Sequence, residues 1–171
     1  MKYCFFISGM KGAGVADKTN VMRLLDAAHV DYTPHWYDDD RAYSGMEVAQ
    51  MLGQDPDCVF KTLVTLGKSG QHYVFMVPTA CELNLKKAAA AVHEKSVAMV
   101  KSKELLGLTG YIHGGCSPIG MKKFFPTTID ETVELCDHIM CSGGQIGTQV
   151  ELSFEGLSRV IEVQVADITN F

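Results

Sequence analysis

No apolar stretch in this sequence approaches the roughly 20 residues that a helix needs to cross a bilayer, so no membrane partner is expected. Met1 to Gly9 carries one lysine and a short apolar run. It is too short for a typical signal-peptide core, and no small-residue cleavage site follows at the usual distance. A cytoplasmic location is the expectation. There is no Cys-x-x-Cys pair, internal repeat, low-complexity tract or linker. Neither glycine-bearing loop, 114–120 or 142–147, is G-x-G-x-x-G or runs into Gly-Lys-Ser/Thr as a P-loop does, which removes the usual nucleotide-cofactor signatures there. Positive charge is also short: 15 Lys and Arg stand against 20 Asp and Glu, and a net charge of −5 argues against nonspecific nucleic-acid binding, DNA included.

What is present suits one folded domain. The chain has 171 residues, 47% of them hydrophobic and 20% charged, enough for a proper core. Residues 1–16, with Gly9, Gly12 and Gly14, read as a flexible leader, and 17–171 as a single domain. Six scattered cysteines are expected to stay reduced in a cytosolic chain. The closest group, Cys136-Asp-His-Ile-Met-Cys141, fits no standard zinc spacing, so neither a metal nor a cofactor is expected. The lysines are unevenly spread. Lys86, Lys87, Lys95, Lys101, Lys103, Lys122 and Lys123 crowd one third of the chain, and gathered on one rim they could hold a phosphate backbone. Solvated helix faces are the plainer alternative.

Periodicity and caps give the elements. Asp17 offers an N-cap for a helix through about His29, with Val21, Leu24, Leu25 and Ala28 as its stripe. Tyr32 to Tyr37 reads as a short strand. Ser44-Gly-Met-Glu47 is a capping box opening a helix that stops at Gly53. A strand over Cys58–Leu66, the turn Gly67-Lys-Ser-Gly70 and a strand over His72–Val77 form a hairpin. Asn84 caps a helix to Val92, and Ser102 caps another to Leu106. Short strands follow near Thr127–Ile129, His138–Cys141 and Thr148–Leu152, then a helix over Phe154–Val160 and a strand over Glu162–Val165. Irregular alternation with hairpins predicts an α/β fold with a mixed sheet and peripheral helices, not a doubly wound parallel sheet.

Lys61 is the chemically informative residue. It interrupts Cys58-Val-Phe-Lys-Thr-Leu-Val-Thr-Leu66, a run with the β-branched content of a buried strand. An amine there is paired, has a lowered pKa, faces a cleft, or snorkels from an edge strand. Two glycine-bearing loops, Gly114-Gly-Cys-Ser-Pro-Ile-Gly120 and Ser142-Gly-Gly-Gln-Ile-Gly147, permit close backbone approach and converging N–H groups. Ordinary turn chemistry explains any one glycine pair; two such loops with a stranded lysine favour a site in a cleft. Cys116 is a conceivable acyl acceptor, but His113 would point to the opposite face if this segment were a strand. The remaining histidines read as structural or surface groups.

In order along the chain stand Lys18-Thr-Asn-Val-Met-Arg-Leu-Leu25, Tyr37, Phe60-Lys-Thr-Leu63, Asn84-Leu-Lys-Lys-Ala88, Gly114-Gly-x-Ser-Pro-Ile-Gly120-x-Lys-Lys123 and Ser142-Gly-Gly144. This set resembles the YbaK/EbsC family of aminoacyl-tRNA deacylases, relatives of the editing domain inserted in bacterial prolyl-tRNA synthetases. The pattern is closest to the branch acting on Cys-tRNA(Pro). The resemblance runs from about Lys18 to the C-terminus and implies a mixed, mostly antiparallel, barrel-like sheet with a pocket for the tRNA 3′ end. It implies Lys61 as the essential residue, with Tyr37, Thr62, Asn84, Gly114, Gly115, Ser117, Pro118, Ile119, Gly120, Ser142, Gly143 and Gly144 as the substrate-binding set. It further implies editing in trans beside prolyl-tRNA synthetase. The implied chemistry is attack by the cysteinyl thiol on its own ester, forming a thiolactone and expelling the tRNA. An Ala-tRNA(Pro) deacylase, a noncatalytic aminoacyl-tRNA or synthetase-binding module, and a Schiff-base enzyme using Lys61 are the alternatives.

Overall fold

The computed structural model describes residues 17–170, and the leader over 1–16 lies outside the described residues. Helix α1 spans Asn20–Ala27 and buries Val21, Met22 and Leu25. Its cap is Thr19, not Asp17: the Thr19 side chain accepts from the Met22 N–H at 3.3 Å, so the helix opens later than expected. Met22 takes the core position expected of Leu24, which is exposed. Strand β1 is Thr33–Trp36. Helix α2, Gly45–Leu52, has the expected capping box at Ser44 and ends at Gly53 with φ +62°, a left-handed cap that suits glycine. Strands β2 (Phe60–Gly67) and β3 (His72–Pro78) form the expected hairpin, with Lys61 opposite Val77.

Helix α3 (Leu85–Ala91) is capped by Asn84. Strand β4 (Val97–Met99) was not anticipated; three residues are too few to show a period. Helix α4 runs Ser102–Thr109, with Lys101 at the N-cap position and Ser102 inside the helix, and continues past Leu106 to Gly110. Then come β5 (Thr127–Asp130), a 3-10 helix (Glu131–Leu135), β6 (Ile139–Ser142), β7 (Thr148–Leu152), α5 (Phe154–Val160) and β8 (Val163–Ala166).

The strands form two sheets, ordered β1-β7-β6 and β4-β2-β3-β5-β8. The small sheet is antiparallel; in the larger one β3-β5 and β5-β8 are parallel and the other pairs antiparallel. This is the mixed, mostly antiparallel α/β architecture expected. The two sheets meet at a bridge between Val59 and Met140, where the Met140 N–H donates to the Cys58 carbonyl at 2.9 Å. Because successive side chains alternate, Phe60 and Met76 face the small sheet, α1 and α5 in the main core with Val150 and Leu157. Phe75 and Val77 face the other way, onto Ala88 and Ala89 of α3.

One cysteine expectation is overturned. Cys58 and Cys136 form a disulfide across 78 residues of sequence, with Cα atoms 5.9 Å apart. Sequence spacing could not reveal the pair, because the sheet-to-sheet bridge brings the two segments together. Cys81, Cys116 and Cys141 are free thiols.

Candidate functional site

The site forms where β2 loses a neighbour. Strand β4 pairs only with Thr65–Gly67, and β6 reaches only the bridge at Val59. Between them, Lys61–Leu63 has a strand partner, β3, on one side alone. A cleft of about 390 Å³ opens along this edge, a volume suited to a small-molecule-sized group. Its lining includes residues from both faces of β2, from the loop after β3, from the start of α2, from α4 and from both glycine loops.

Lys61 therefore faces a cleft and is also paired. Its Nζ lies 3.2 Å from Glu82 Oε1, with the lysine side chain 26% exposed and that of Glu82 84% exposed. An ammonium has three donors, and this is its one hydrogen bond among the described residues. Glu82 comes from the loop that follows β3; the hairpin register puts that loop beside the Lys61 end of β2. Counting back from the Gly67–Gly70 turn gives this register, so the hairpin itself held a signal for Glu82 that the sequence reading missed.

The two glycine loops pack directly on each other. A Cβ on Gly115 would stand 3.0 Å from the Gln145 and Ile146 backbone, so a larger residue there would push the loops apart. Gly114 has φ +87°, a conformation costly for other residues. Tyr111 Oη donates to the Ile119 carbonyl at 2.6 Å, Ser117 Oγ accepts from Ile119 N at 3.2 Å, and Ser142 Oγ accepts from Gly144 N at 3.2 Å. The wall across the cleft is the segment before α2. There Tyr43 donates to Asp40 at 2.6 Å, the Arg41 guanidinium lies 4.0 Å over the Tyr43 ring, and Arg41 pairs with Glu47 at 2.7 Å. Arg41 foremost, with the Ser44 N–H and hydroxyl, holds the Glu47 carboxyl at about 2.

Of the residues singled out from sequence, Tyr37, Lys61, Thr62, Gly114 and Ser142 line this one cleft. Pro118 and Gly120 line a second cavity of about 300 Å³ with Phe124 and Lys123. Ile119 is buried in the main core and Ser117 is fully buried. Gly115 and Gly143 stand in loop–loop or hairpin contact, and a Cβ on Gly144 would meet Val21 of α1. Asn84 lies outside the cleft lining: its Oδ1 accepts from Lys86 N and Lys87 N at 3.0 Å, and its Nδ2 donates to Asn170 at 2.7 Å. The sequence reading did not select Tyr43, Thr79 or Gln149, which also line the cleft.

His113 and Cys116 both line the cleft, contrary to the opposite-face expectation. The segment is not a strand: Gly115 N donates to the Ile112 carbonyl at 3.0 Å in a turn, so pleated alternation does not apply. Burial pushes the Cys116 thiol up to about 11, countered only in part by Thr109. At neutral pH it is a protonated thiol and a poor nucleophile. Burial likewise pushes Tyr111 up to about 12 and Cys141 up to about 12.

Comparison with known proteins adds to this geometry. A family profile described as an aminoacyl-tRNA editing domain matches residues 40–160. An Enterococcus faecalis protein with the provisional name Cys-tRNA(Pro)/Cys-tRNA(Cys) deacylase EbsC is 42% identical over 155 residues, covering 89% of this chain and 93% of that protein. A proline–tRNA ligase of Shouchella clausii is 29% identical over 101 residues, 59% of this chain but 18% of the ligase. A crystal structure described provisionally as a trans-editing enzyme for prolyl-tRNA synthetase superposes with a TM-score of 0.74 at 24% identity, over 90% of this chain and 99% of that one. A protein described as hypothetical superposes at 0.79 and 22% identity, covering 88% and 99%. These structures share the fold, and the sequence match spans the elements that build the Lys61 cleft: the chain belongs to the aminoacyl-tRNA editing domain family.

Proposed function

We propose that this protein is a trans-acting aminoacyl-tRNA deacylase that clears Cys-tRNA(Pro), and also Cys-tRNA(Cys), with Lys61 as its catalytic residue. The observation that carries the reading is the Lys61 ammonium, which has one partner among the described residues and sits in a cleft sized for an aminoacyl end. The Enterococcus faecalis relative, whose name pairs the same two charged tRNAs, supports the substrate class. Tyr37, Thr62, Gly114 and Ser142 are the substrate-binding residues of this reading, and the remaining glycine-loop residues hold the wall.

An aminoacyl ester is already activated, so positioning and stabilisation of developing negative charge suffice for catalysis. In the substrate-assisted route, the cysteinyl sulfur bonds to its own carbonyl carbon. The bond from that carbon to the ribose oxygen breaks, and the thiol proton ends on the ribose hydroxyl. A free thiol has a pKa of about 8.5, so a nearby ammonium raises the thiolate fraction near neutral pH. With the Cys116 thiol protonated, the substrate's own thiol is the better nucleophile. We further assign residues 17–171 to one catalytic domain acting beside prolyl-tRNA synthetase, which supplies the tRNA selectivity that a small acidic surface does not.

Deacylation of a panel of aminoacyl-tRNAs tests this. Cysteinyl esters are expected to react, and seryl esters to react far more slowly, because a hydroxyl is the weaker nucleophile. Equal rates for the two would overturn the thiolactone route. Hydrolysis of Ala-tRNA(Pro) but not Cys-tRNA(Pro) would move the substrate to the alanyl ester.

A further inference from the structure

The lysines that crowd one third of the sequence do not share one surface. Lys86 and Lys87 sit on α3, which packs against Phe75 and Val77 on one face of the large sheet. Helix α4 packs Leu105 and Leu108 against Val64 and Val74 on the other face. Lys101 is at the N-cap of α4 and Lys103 in its first turn, while Lys122 and Lys123 lie between Met121 and Phe125, which join the same apolar cluster. The Lys122 N–H donates to the Thr109 carbonyl at 3.0 Å, and a Cβ on Gly110 would stand 3.2 Å from Lys122 Cγ. One packed unit therefore carries all four lysines, two at each end of α4. Lys101 and Gly110 are about 14 Å apart along the helix axis, the length that about four nucleotides of a stacked strand cover. All four lysines are exposed, and none forms an ion pair among the described residues.

We propose that this face, α4 with Lys122 and Lys123, is the docking surface for the phosphate backbone of the tRNA acceptor end, an assignment that rests on the deacylase reading. The surface is continuous with the cleft. Leu105 of α4 lines it, as do His113, Gly114 and Cys116 of the loop that runs on to Lys122. Lys101 stands one turn before Leu105, and positions four apart share a side of a helix. From Lys101 to Lys123 the only acid is Glu104. The facing wall is the reverse: from Tyr37 to Glu47 it has Asp38, Asp39, Asp40 and Glu47 against Arg41 alone. When an aminoacyl end occupies the cleft, the rest of the strand must leave along one wall. The acidic wall repels phosphate and the α4 wall attracts it. Lysines on phosphates position a strand without reading its sequence, which leaves the choice of tRNA to another component.

The test is binding of tRNA(Pro) ending in a 3′-cysteinylamide, which resists hydrolysis, at salt between about 50 and 200 mM. The nucleoside 3′-cysteinylamino-3′-deoxyadenosine is the phosphate-free reference. Wild-type affinity for the tRNA should fall with salt at a log–log slope of about −3, from about 0.7–0.9 for each phosphate neutralised. A protein combining Lys101→Ala, Lys103→Ala, Lys122→Ala and Lys123→Ala should lose most of that slope and bind the tRNA at least about tenfold more weakly at the low-salt end. Its affinity for the nucleoside should stay within about twofold of wild type, because the nucleoside carries no phosphate. Lys86→Ala, on the other face of the sheet, should change neither. A wild type that does not bind the tRNA, or binds it without salt dependence, overturns the surface. So does a fourfold variant that keeps the wild-type slope, or one that loses the nucleoside as strongly as the tRNA. Loss of prolyl-tRNA synthetase binding with tRNA binding intact would overturn it in favour of a protein partner. Turnover of Cys-tRNA(Pro) is measured in parallel. The expected binding pattern without turnover would sink the deacylase reading alone, and turnover with salt-independent binding would sink the surface alone.

Discussion

Lys61 and Lys87 are both paired with a carboxylate, and the difference between their surroundings is what singles out Lys61 as the proposed catalytic amine. Lys87, on α3, donates to both oxygens of Asp167 at 2.8 Å and to the Thr169 carbonyl at 2.9 Å. All three of its N–H donors are used, and they tie α3 to the last residues of the fold. Lys61 makes one hydrogen bond at 3.2 Å, to a side chain that is itself 84% exposed. Lys61 is the more enclosed of the two, 26% exposed against 40%, yet the less satisfied. Burial with spare donors is costly unless a ligand completes the set. A cleft lies beside Lys61, and none of its lining comes from the Lys87 anchor.

The largest expected effect is on catalysis. Lys61→Ala should lower kcat/KM for Cys-tRNA(Pro) by about 10²- to 10³-fold, the scale of losing one group that stabilises developing charge. Lys87→Ala should leave it unchanged. Equal losses, or unaffected turnover in Lys61→Ala, would break the distinction between the two amines.

Next in size is the cross-link beside the cleft. Cys58 precedes Lys61 by three residues, and its disulfide to Cys136 joins the two sheets at their bridge. Cys136→Ser should lower unfolding stability by about 2–4 kcal/mol in urea. Hydrogen exchange should rise around Val59 and Met140 more than in α3. Uniform loosening would show that the cleft and the Lys87 anchor unfold as one unit.

Alkaline pH should also lower stability, through Cys116 at the cleft and Cys141 in the main core alike. The Cys116 thiol moves from 9.0 to about 11 in the folded protein. The unfolded chain loses that proton first, so the contribution is intact below pH 9 and is lost as pH rises toward 11. The slope is about 1.4 kcal/mol per pH unit for one group. Urea midpoints between pH 8 and 11 check this, and Cys116→Ala should flatten part of the fall; an unchanged slope would remove Cys116 as its source. The smallest effect is that of Lys87→Ala on stability, about 1 kcal/mol or a few degrees in Tm, because both partners are well exposed.

The legible parts of the fold were those written locally. Ser44 and Glu47 form a capping box from neighbouring residues, and the Gly67–Gly70 turn sets the hairpin that carries Lys61. Strand β4 escaped because three residues show no period, and its short length is what leaves the Lys61 edge open. Turn geometry at Gly114 and Gly115 defeated the inference that His113 and Cys116 point apart. Gln149 looked like an ordinary polar strand residue. Its burial, its missing partner and its place opposite Ser142 exist only once β6 and β7 are paired and set against β2.

By itself the sequence determined that an amine interrupts an apolar strand and that glycine-bearing loops accompany it, because side-chain type, alternation and turn chemistry are local properties. Its ordered motifs also pointed to the family. The tertiary structure decided how many of that amine's donors stay free, which cysteines join, and that Thr62 and Gln149 line one cleft. Those outcomes depend on contacts between residues tens of positions apart, and only the packing of one sheet on the other sets those distances.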